Sequence, residues 1–214
     1  MKKISVLLRQ AAPVAAFILS TFSAFSADAD AKSASQPAII FTRTLDDPGQ
    51  WKITCHENEK PASIPEGAAL SKAAKEDQPC LQLDYRFNSP KHDAVMLTTD
   101  VNIASGKRVG LTAYGDGSGH ELFAVFEDAS GEKHYLPLQV VNWKGWKTFY
   151  VPFKKLLDAP IRGSVSATHW GGDGSQYLKF PIRRLTIGLN DKPDSFQGSG
   201  QLWLKEILID DKGE

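Results

Sequence analysis

The histidines and the glycine-rich turns are the residues to test first for catalytic chemistry, and they form no catalytic pattern. Gly115, Gly117 and Gly119 alternate in one turn, but their spacing differs from a dinucleotide-binding fingerprint and no strand–helix–strand unit surrounds them. The chain has no Gly-x-Ser-x-Gly nucleophile elbow and no His-Glu-x-x-His motif. The five histidines lack metal-ligand spacing, at His56, His92, His120, His134 and His169. We therefore expect no catalytic residues.

Aromatic and hydrogen-bonding side chains near predicted turns are the remaining candidates for ligand contact. These are Trp143, Trp170, Tyr177, Tyr114, His120 and His169, together with Asp84 and Arg86 on the polar face of one predicted strand. Core packing is the alternative for any single aromatic residue, and Trp146, which opens an alternating strand, is expected to be a core residue. Trp170 lies in a polar, glycine-containing loop, so it is the better candidate for ligand binding.

The first 29 residues are typical of a secretory signal peptide. Lys2, Lys3 and Arg9 precede an apolar stretch from Ala11 to Leu19, and small residues then surround two usable cleavage positions. The apolar stretch is shorter than the ~20 residues that a membrane-spanning helix needs. We expect cleavage near Ala29, a short linker over residues 30–36, and a periplasmic or secreted product without a membrane span.

The charge balance argues against a nucleic-acid partner, and the composition indicates a folded domain. The chain has 25 basic and 25 acidic residues, so it has no excess of cations with which to neutralise a nucleic-acid backbone. Hydrophobic residues make up 42% and aromatic residues 10% of the chain, which is enough for a packed core. We expect one domain, over residues 37–212, that binds no nucleic acid.

Cys55 and Cys80 are the two cysteines of the chain, and each lies at the edge of an alternating apolar segment. Because an exported chain meets an oxidising compartment, we expect a disulfide between them. Two buried thiols are the alternative. A zinc site is not expected, because no histidine pair accompanies the cysteines.

Apolar residues alternate with a period of two along almost every ordered segment, which predicts an all-β protein. The predicted strands number about ten, at Ile39–Arg43, Trp51–Cys55, Leu81–Phe87, Val95–Val101, Val109–Tyr114, Leu122–Glu127, Lys133–Val140, Lys147–Val151, Leu185–Leu189 and Leu202–Leu204. Asp128-Ala129-Ser130-Gly131 predicts a tight hairpin turn. The alanine-rich segment Glu66–Glu76 is the one predicted helix.

Several motifs carry a family resemblance. Between Val109 and Phe153 there are a strand ending in Gly-Asp-Gly-Ser-Gly, a strand ending in Asp-Ala-Ser-Gly-Glu, and then Trp-Lys-Gly-Trp-Lys; His169-Trp170-Gly171-Gly172, Pro181-Ile182 and the closing GQLWLKEILID follow. With these motifs the chain resembles carbohydrate-binding jelly-roll modules of the galactose-binding-like superfamily, families 11 and 4 being the nearest types. Assembly-factor domains of the complex-I intermediate-associated kind are similar too. The resemblance implies an antiparallel β-sandwich of the jelly-roll type.

The same resemblance implies a ligand and a metal. Sugar rings carry C–H patches that stack on aromatic faces, and polar side chains beside those faces hydrogen-bond the hydroxyls. A structural calcium ion is implied near the first and last strands, where Asp46, Asp47 and Glu206 stand. Lys205 occupies a position at which the family has an acidic residue, and solvated surface charge is the alternative for all three carboxylates. No other cofactor is expected.

We expect an exported, non-catalytic carbohydrate-binding protein whose ligand is a polysaccharide or oligosaccharide and which acts free or beside a separate carbohydrate-active enzyme. One alternative is a protein-interaction or assembly module with the same fold. Another is a small jelly-roll enzyme that acts on polysaccharides. A hydrolase needs two facing carboxylates, and a lyase could use Tyr, His and Arg, so the residue types alone leave both open.

Overall fold

The computed structural model describes residues 37–56, 68–87, 94–153, 169–190 and 198–212. These ranges contain twelve β-strands and one 3-10 turn at Pro48–Gln50. The strands are β1 (Ile39–Thr44), β2 (Lys52–His56), β3 (Ala69–Lys75), β4 (Gln78–Phe87), β5 (Ala94–Ile103), β6 (Arg108–Asp116), β7 (Glu121–Glu127), β8 (Glu132–Val140), β9 (Lys144–Pro152), β10 (His169–Gly171), β11 (Ile182–Asn190) and β12 (Gly198–Asp210). The expectation of an all-β protein is therefore confirmed.

The strands form two six-stranded antiparallel sheets, which we call the front sheet and the back sheet. The front sheet has the order β3-β4-β12-β6-β9, with β1 added beside the second half of β12. The back sheet has the order β10-β8-β7-β11-β5-β2. Apart from the hairpins β3–β4 and β7–β8, neighbouring strands in each sheet are distant in the sequence, so residues from four or five segments meet on one face.

Alternation along the strands fills the space between the sheets. On β4, Leu83 and Tyr85 point inward and are buried, while Asp84 and Arg86 point outward. Leu185 of β11, in the back sheet, belongs to the same buried core cluster. The prediction of a sandwich is confirmed, because two sheets that are each apolar on one face bury that face against each other.

Strand β7 is buried on both faces, as its continuous apolar pattern predicts. Phe123 points away from the core between the sheets and is nevertheless buried. Its ring stacks on Tyr135 at a centroid distance of 5.0 Å and covers Gly188, where an added Cβ would approach a ring carbon to 2.1 Å. A side chain at Gly188 would therefore displace the Phe123 ring.

The predicted helix at Glu66–Glu76 is wrong, because Ala69–Lys75 forms the edge strand β3. It pairs with β4 through a two-residue turn at Glu76 and Asp77, both at positive φ. Alanine has the highest helix propensity of the amino acids, but propensity is a weak determinant of structure, and strand pairing with β4 overrides it here. Residues 66 and 67 lie outside the described ranges.

The predicted disulfide is also wrong: no disulfide joins Cys55 and Cys80, and both residues are buried. Cys55 belongs to β2 of the back sheet and Cys80 to β4 of the front sheet. The alternative of two buried thiols is the one that the structure has.

The predicted signal peptide and linker lie outside the described residues, and the domain limits at 37 and 212 stay a prediction. In the part of the chain that the structure describes, no helix has the length and apolar character needed to cross a membrane.

Candidate functional site

Three aromatic side chains lie in a line across the outer face of the front sheet, and we call them the aromatic row. Strand register places Trp203 of β12 opposite Tyr114 of β6, and Tyr114 opposite Trp146 of β9. The Tyr114 ring meets both indoles edge to face, with centroids 5.4 Å from Trp203 and 5.5 Å from Trp146. All three residues are partly exposed, so some of their ring surface is open to a ligand.

A group of amides and a carboxylate borders the aromatic row on β4 and β12. Trp203 Nε1 donates to Gln82 Oε1 at 3.1 Å, which fixes the orientation of the indole. Gln82 Nε2 and Gln201 Nε2 both donate to Asp84, at 3.0 and 2.7 Å. This network orders hydrogen-bonding groups beside apolar ring surface.

The tip of the β3–β4 hairpin brings charge to the aromatic row. Lys75 Nζ is 4.0 Å from the ring centroid of Trp203 and 4.6 Å from that of Tyr114. Desolvation and the nearby Glu76 carboxylate raise the pKa of the Tyr114 hydroxyl. At neutral pH this hydroxyl therefore remains a protonated donor.

Three of the predicted ligand-binding residues come together on this face. Tyr114 belongs to the aromatic row itself, and Asp84 and Arg86 point outward from β4. Asp84 lies opposite Gln201, and Arg86 lies opposite Ser199 on β12.

Three other predicted residues lie on the back sheet or beside it. His169 and Trp170 form the edge strand β10, opposite His134 and Lys133 of β8. Trp170 is 42% exposed, and so is Tyr177 in the following connection. The aromatic row is on the front sheet, whereas these three residues lie on or beside the back sheet. The structure therefore divides the predicted ligand-binding residues into two groups.

The structure removes His120 from the accessible candidates, because it is only 2% exposed. Its ring packs edge-on against Tyr85 and Phe87 at centroid distances of 5.4 and 4.7 Å. Burial lowers the pKa of the imidazole, so His120 is neutral at physiological pH. Trp143 is half-buried; its Nε1 donates to the Gly145 carbonyl and its ring packs beside Phe149.

The prediction that Trp146 is a core residue is wrong, because this residue is partly exposed on the outer face of the front sheet. Sequence reasoning also missed the roles of Trp203, Gln82, Gln201 and Lys75. For Trp203 a signal was present, because it alternates with the inward-pointing Leu202 and Leu204.

Asp128, Glu132 and His134 form the one group of described residues whose ligand atoms could surround a metal ion, all within 4.8 Å of one another. All three are buried. Asp128 accepts hydrogen bonds from the backbone and hydroxyl of Ser130 and from the backbone N–H groups of Glu132 and Lys179. Burial alone would raise the pKa of Asp128, but these bonds hold it below its ordinary value.

The Glu132 carboxylate also accepts hydrogen bonds from donors of the protein. It accepts from the Gln176 backbone N–H at 3.0 Å and from the Ser175 hydroxyl at 3.1 Å. Because protein donors already fill the carboxylate oxygens, the group of Asp128, Glu132 and His134 acts as a structural link between the β7–β8 hairpin and the β10–β11 connection.

The residues named for calcium do not converge in the described structure. Asp47 caps the 3-10 turn by accepting from the Gly49 N–H at 2.9 Å, and Glu206 accepts from the Thr42 hydroxyl at 3.1 Å. Asp46 lies next to this cap in the segment between β1 and the 3-10 turn. Calcium binding by these residues stays a prediction.

A cavity of about 550 Å³ opens at the other end of the back sheet, beside Trp51, Thr54 and Thr98. Arg184 and Asp100 line it and pair with each other at 3.0 Å. Arg184 also pairs with Glu127, so its charge is already neutralised by the protein.

Comparisons with known proteins show which solved structures have a similar fold. No protein-family profile and no curated protein sequence matches the chain. The family 11 carbohydrate-binding module of the cellulosomal cellulase Lic26A-Cel5E of Clostridium thermocellum is similar in structure, with a TM-score of 0.53 and 13% identity over 83% of this chain and 99% of that one. A Clostridium thermocellum family 11 module in complex with a β-1,3-1,4-mixed-linked tetrasaccharide matches with a TM-score of 0.52 and 14% identity, over 83% of this chain and 100% of that one. At this identity the likeness shows a common jelly-roll fold, which confirms the fold that the sequence resemblance implies.

Proposed function

We propose that this chain is an exported, non-catalytic carbohydrate-binding protein that holds an oligosaccharide or polysaccharide on the outer face of the front sheet. The observation that carries the proposal is the aromatic row of Trp203, Tyr114 and Trp146 beside the hydrogen-bonding groups of Gln82 and Asp84. Polysaccharide ligands need both kinds of group, because sugar rings have apolar C–H patches and many hydroxyls.

The dimensions of the face favour a chain of sugars over a single one. From Gln82 on β4 to Trp146 on β9 the line crosses three strand intervals, or roughly 14 Å at about 4.8 Å per interval. The Clostridium thermocellum module with this fold binds a tetrasaccharide, which supports an oligosaccharide as ligand here.

We also propose that the protein binds its ligand without catalysing a reaction. The Asp84 carboxylate on this face accepts hydrogen bonds from two amides, which suits binding rather than proton transfer. The signal-like first 29 residues support export to the periplasm or beyond the cell, where a separate carbohydrate-active enzyme would supply turnover.

Trp170, His169 and Tyr177 remain candidates for a second sugar contact on the back sheet. The exposure of Trp170 and Tyr177 supports this, since ordinary packing does not explain a large aromatic side chain in solvent. The two locations are separable by mutation because they lie on different sheets.

Affinity electrophoresis and calorimetry of the purified protein with a panel of soluble polysaccharides and their oligosaccharides test the proposal. Trp203→Ala should weaken binding of the ligand found by about 1–3 kcal/mol, by analogy with aromatic stacking on other rings. Trp170→Ala is the matched control, and it should leave that affinity unchanged if the front face is the site.

A reversed result, with loss of affinity in Trp170→Ala alone, would place the site on the back sheet. Failure of the whole panel to bind would refute carbohydrate binding, and release of reducing ends or unsaturated sugars would refute the non-catalytic assignment. Thermal unfolding of both variants separates lost binding from lost structure.

A further inference from the structure

Lys75 holds a positive charge directly on the aromatic row. Its Nζ lies over the rings of Trp203 and Tyr114, where attraction to the ring faces fixes its position. Among the described residues, no Asp or Glu forms an ion pair with Lys75. A ligand lying on the aromatic row would therefore meet this ammonium group.

Two further cations on the same face also form no ion pair among the described residues. Arg86 points outward from β4 opposite Ser199, and Lys144 extends from β9 opposite Asp116. Both are exposed, and neither pairs with a carboxylate of the described chain.

Two carboxylates of this part of the sheet, Asp84 and Asp116, are in contrast hydrogen-bonded by uncharged donors of the protein. Asp84 accepts from the Gln82 and Gln201 amides. Asp116 accepts from the Tyr85 hydroxyl at 2.7 Å and from the Ser118 backbone N–H at 2.9 Å. The hydrogen-bond donors that the described part of this face leaves for a ligand are therefore mainly the cationic groups of Lys75, Arg86 and Lys144. Glu76 adds one exposed carboxylate beside the Tyr114 hydroxyl.

We infer that the front face selects an acidic saccharide, with Lys75 as the specificity-determining residue that pairs with the carboxylate or sulfate of a sugar stacked on the aromatic row. The inference rests on the proposed function and narrows its ligand class. Charge-assisted hydrogen bonds from an ammonium group to an anion are stronger than those to a neutral hydroxyl, so a neutral sugar would leave the Lys75 charge uncompensated.

Calorimetry with pairs of oligosaccharides of equal length tests this. The acidic probes are hexagalacturonate and hexamannuronate, which carry carboxylates only, and a κ-carrageenan hexasaccharide, which carries sulfates only. The neutral probes are the methyl ester of hexagalacturonate, mannohexaose and the desulfated form of the carrageenan hexasaccharide. The uronate and sulfate arms distinguish the two sources of the anion.

At least one acidic probe should bind about tenfold more tightly than its neutral counterpart, and added salt should reduce that preference. Lys75→Met keeps the aliphatic stem but removes the charge, so it should abolish the preference. The control Lys72→Met changes an exposed lysine of the same strand and should retain it.

The outcomes separate the inference from the function on which it rests. Equal or tighter binding of neutral probes would overturn the acidic ligand and leave carbohydrate binding intact. A preference for acidic probes that survives in Lys75→Met would overturn the role of Lys75. If no saccharide binds to the folded protein, both the inference and the proposed function are wrong.

Discussion

Trp203 is the residue at which stacking, hydrogen bonding and charge meet in the candidate site. Its indole N–H donates to Gln82, its ring edge packs against Tyr114, and Lys75 lies over its face. A substitution at Trp203 therefore removes ring surface and frees both Gln82 and Lys75, so its effect on binding cannot be assigned to stacking alone. The Lys75→Met variant isolates the charge.

At the residue scale we also predict two thiols in the purified protein. Alkylation of the unfolded chain without reductant should add one group to Cys55 and one to Cys80, because no disulfide joins them in the structure. In the folded protein Cys80 should react slowly, since burial raises the pKa of its thiol and little thiolate forms.

Mass spectrometry before and after reduction measures this. A chain that takes up no alkyl group until it is reduced would contradict the arrangement of the cysteines described above.

At the element scale, the buried carboxylates of Asp128 and Glu132 hold the β10–β11 connection, which contains Tyr177, against the β7–β8 hairpin. Glu132 accepts hydrogen bonds from Ser175 and Gln176, and the turn at Gly172 packs so closely that an added Cβ would approach the Glu132 backbone nitrogen to 2.3 Å. The local order of this connection thus depends on a residue of another strand.

Glu132→Ala should lower the free energy of unfolding by about 1 kcal/mol, because it leaves the partly buried Ser175 hydroxyl and Gln176 N–H without their acceptor. Hydrogen exchange should rise in residues 172–178 more than in β4 or β6. Lys133→Ala, at the neighbouring exposed position, is the control and should change neither quantity. Uniform exchange across the chain in Glu132→Ala would show that the carboxylate has no local role.

At the scale of the whole molecule, two buried carboxylates make stability depend on pH. Arg108 binds Asp210 through two hydrogen bonds of 2.6 and 2.7 Å and joins β6 to the end of β12. These bonds hold the pKa of Asp210 below its ordinary value, as the hydrogen bonds to Asp128 do for that residue. The pKa of an aspartate in the unfolded chain is about 3.9. Because the pKa values of Asp210 and Asp128 are lower in the folded state, the two carboxylates stabilise the fold at pH values above about 3.9. This stabilisation is lost as the pH falls through the folded-state pKa.

The melting temperature should therefore be steady near neutral pH and fall steeply below about pH 4. Asp210→Asn should cost about 1.5–3 kcal/mol at pH 7, the range for hydrogen bonds to a charged group, and show a smaller further loss in acid. Asp100→Asn removes an exposed carboxylate and should have little effect. A melting temperature that does not change between neutral and acidic pH would contradict this account.

The sequence by itself determined the fold class and the inward faces of most strands. A period of two in β4 and β11 is a local property, because successive side chains of a strand point to opposite sides wherever the strand lies. The same alternation identified Asp84 and Arg86 as outward-pointing, and the motifs between Val109 and Phe153 indicated the jelly roll.

Only the tertiary structure decided which outward-pointing residues are neighbours and which segments pair. Trp146 and Trp203 are 57 positions apart in the sequence, and they form one row because β9 and β12 both pair with β6. Ala69–Lys75 is a strand because β4 offers it an edge, and its alanines alone favour a helix. Strand order depends on contacts between distant segments, and these contacts leave no local pattern in the amino-acid sequence.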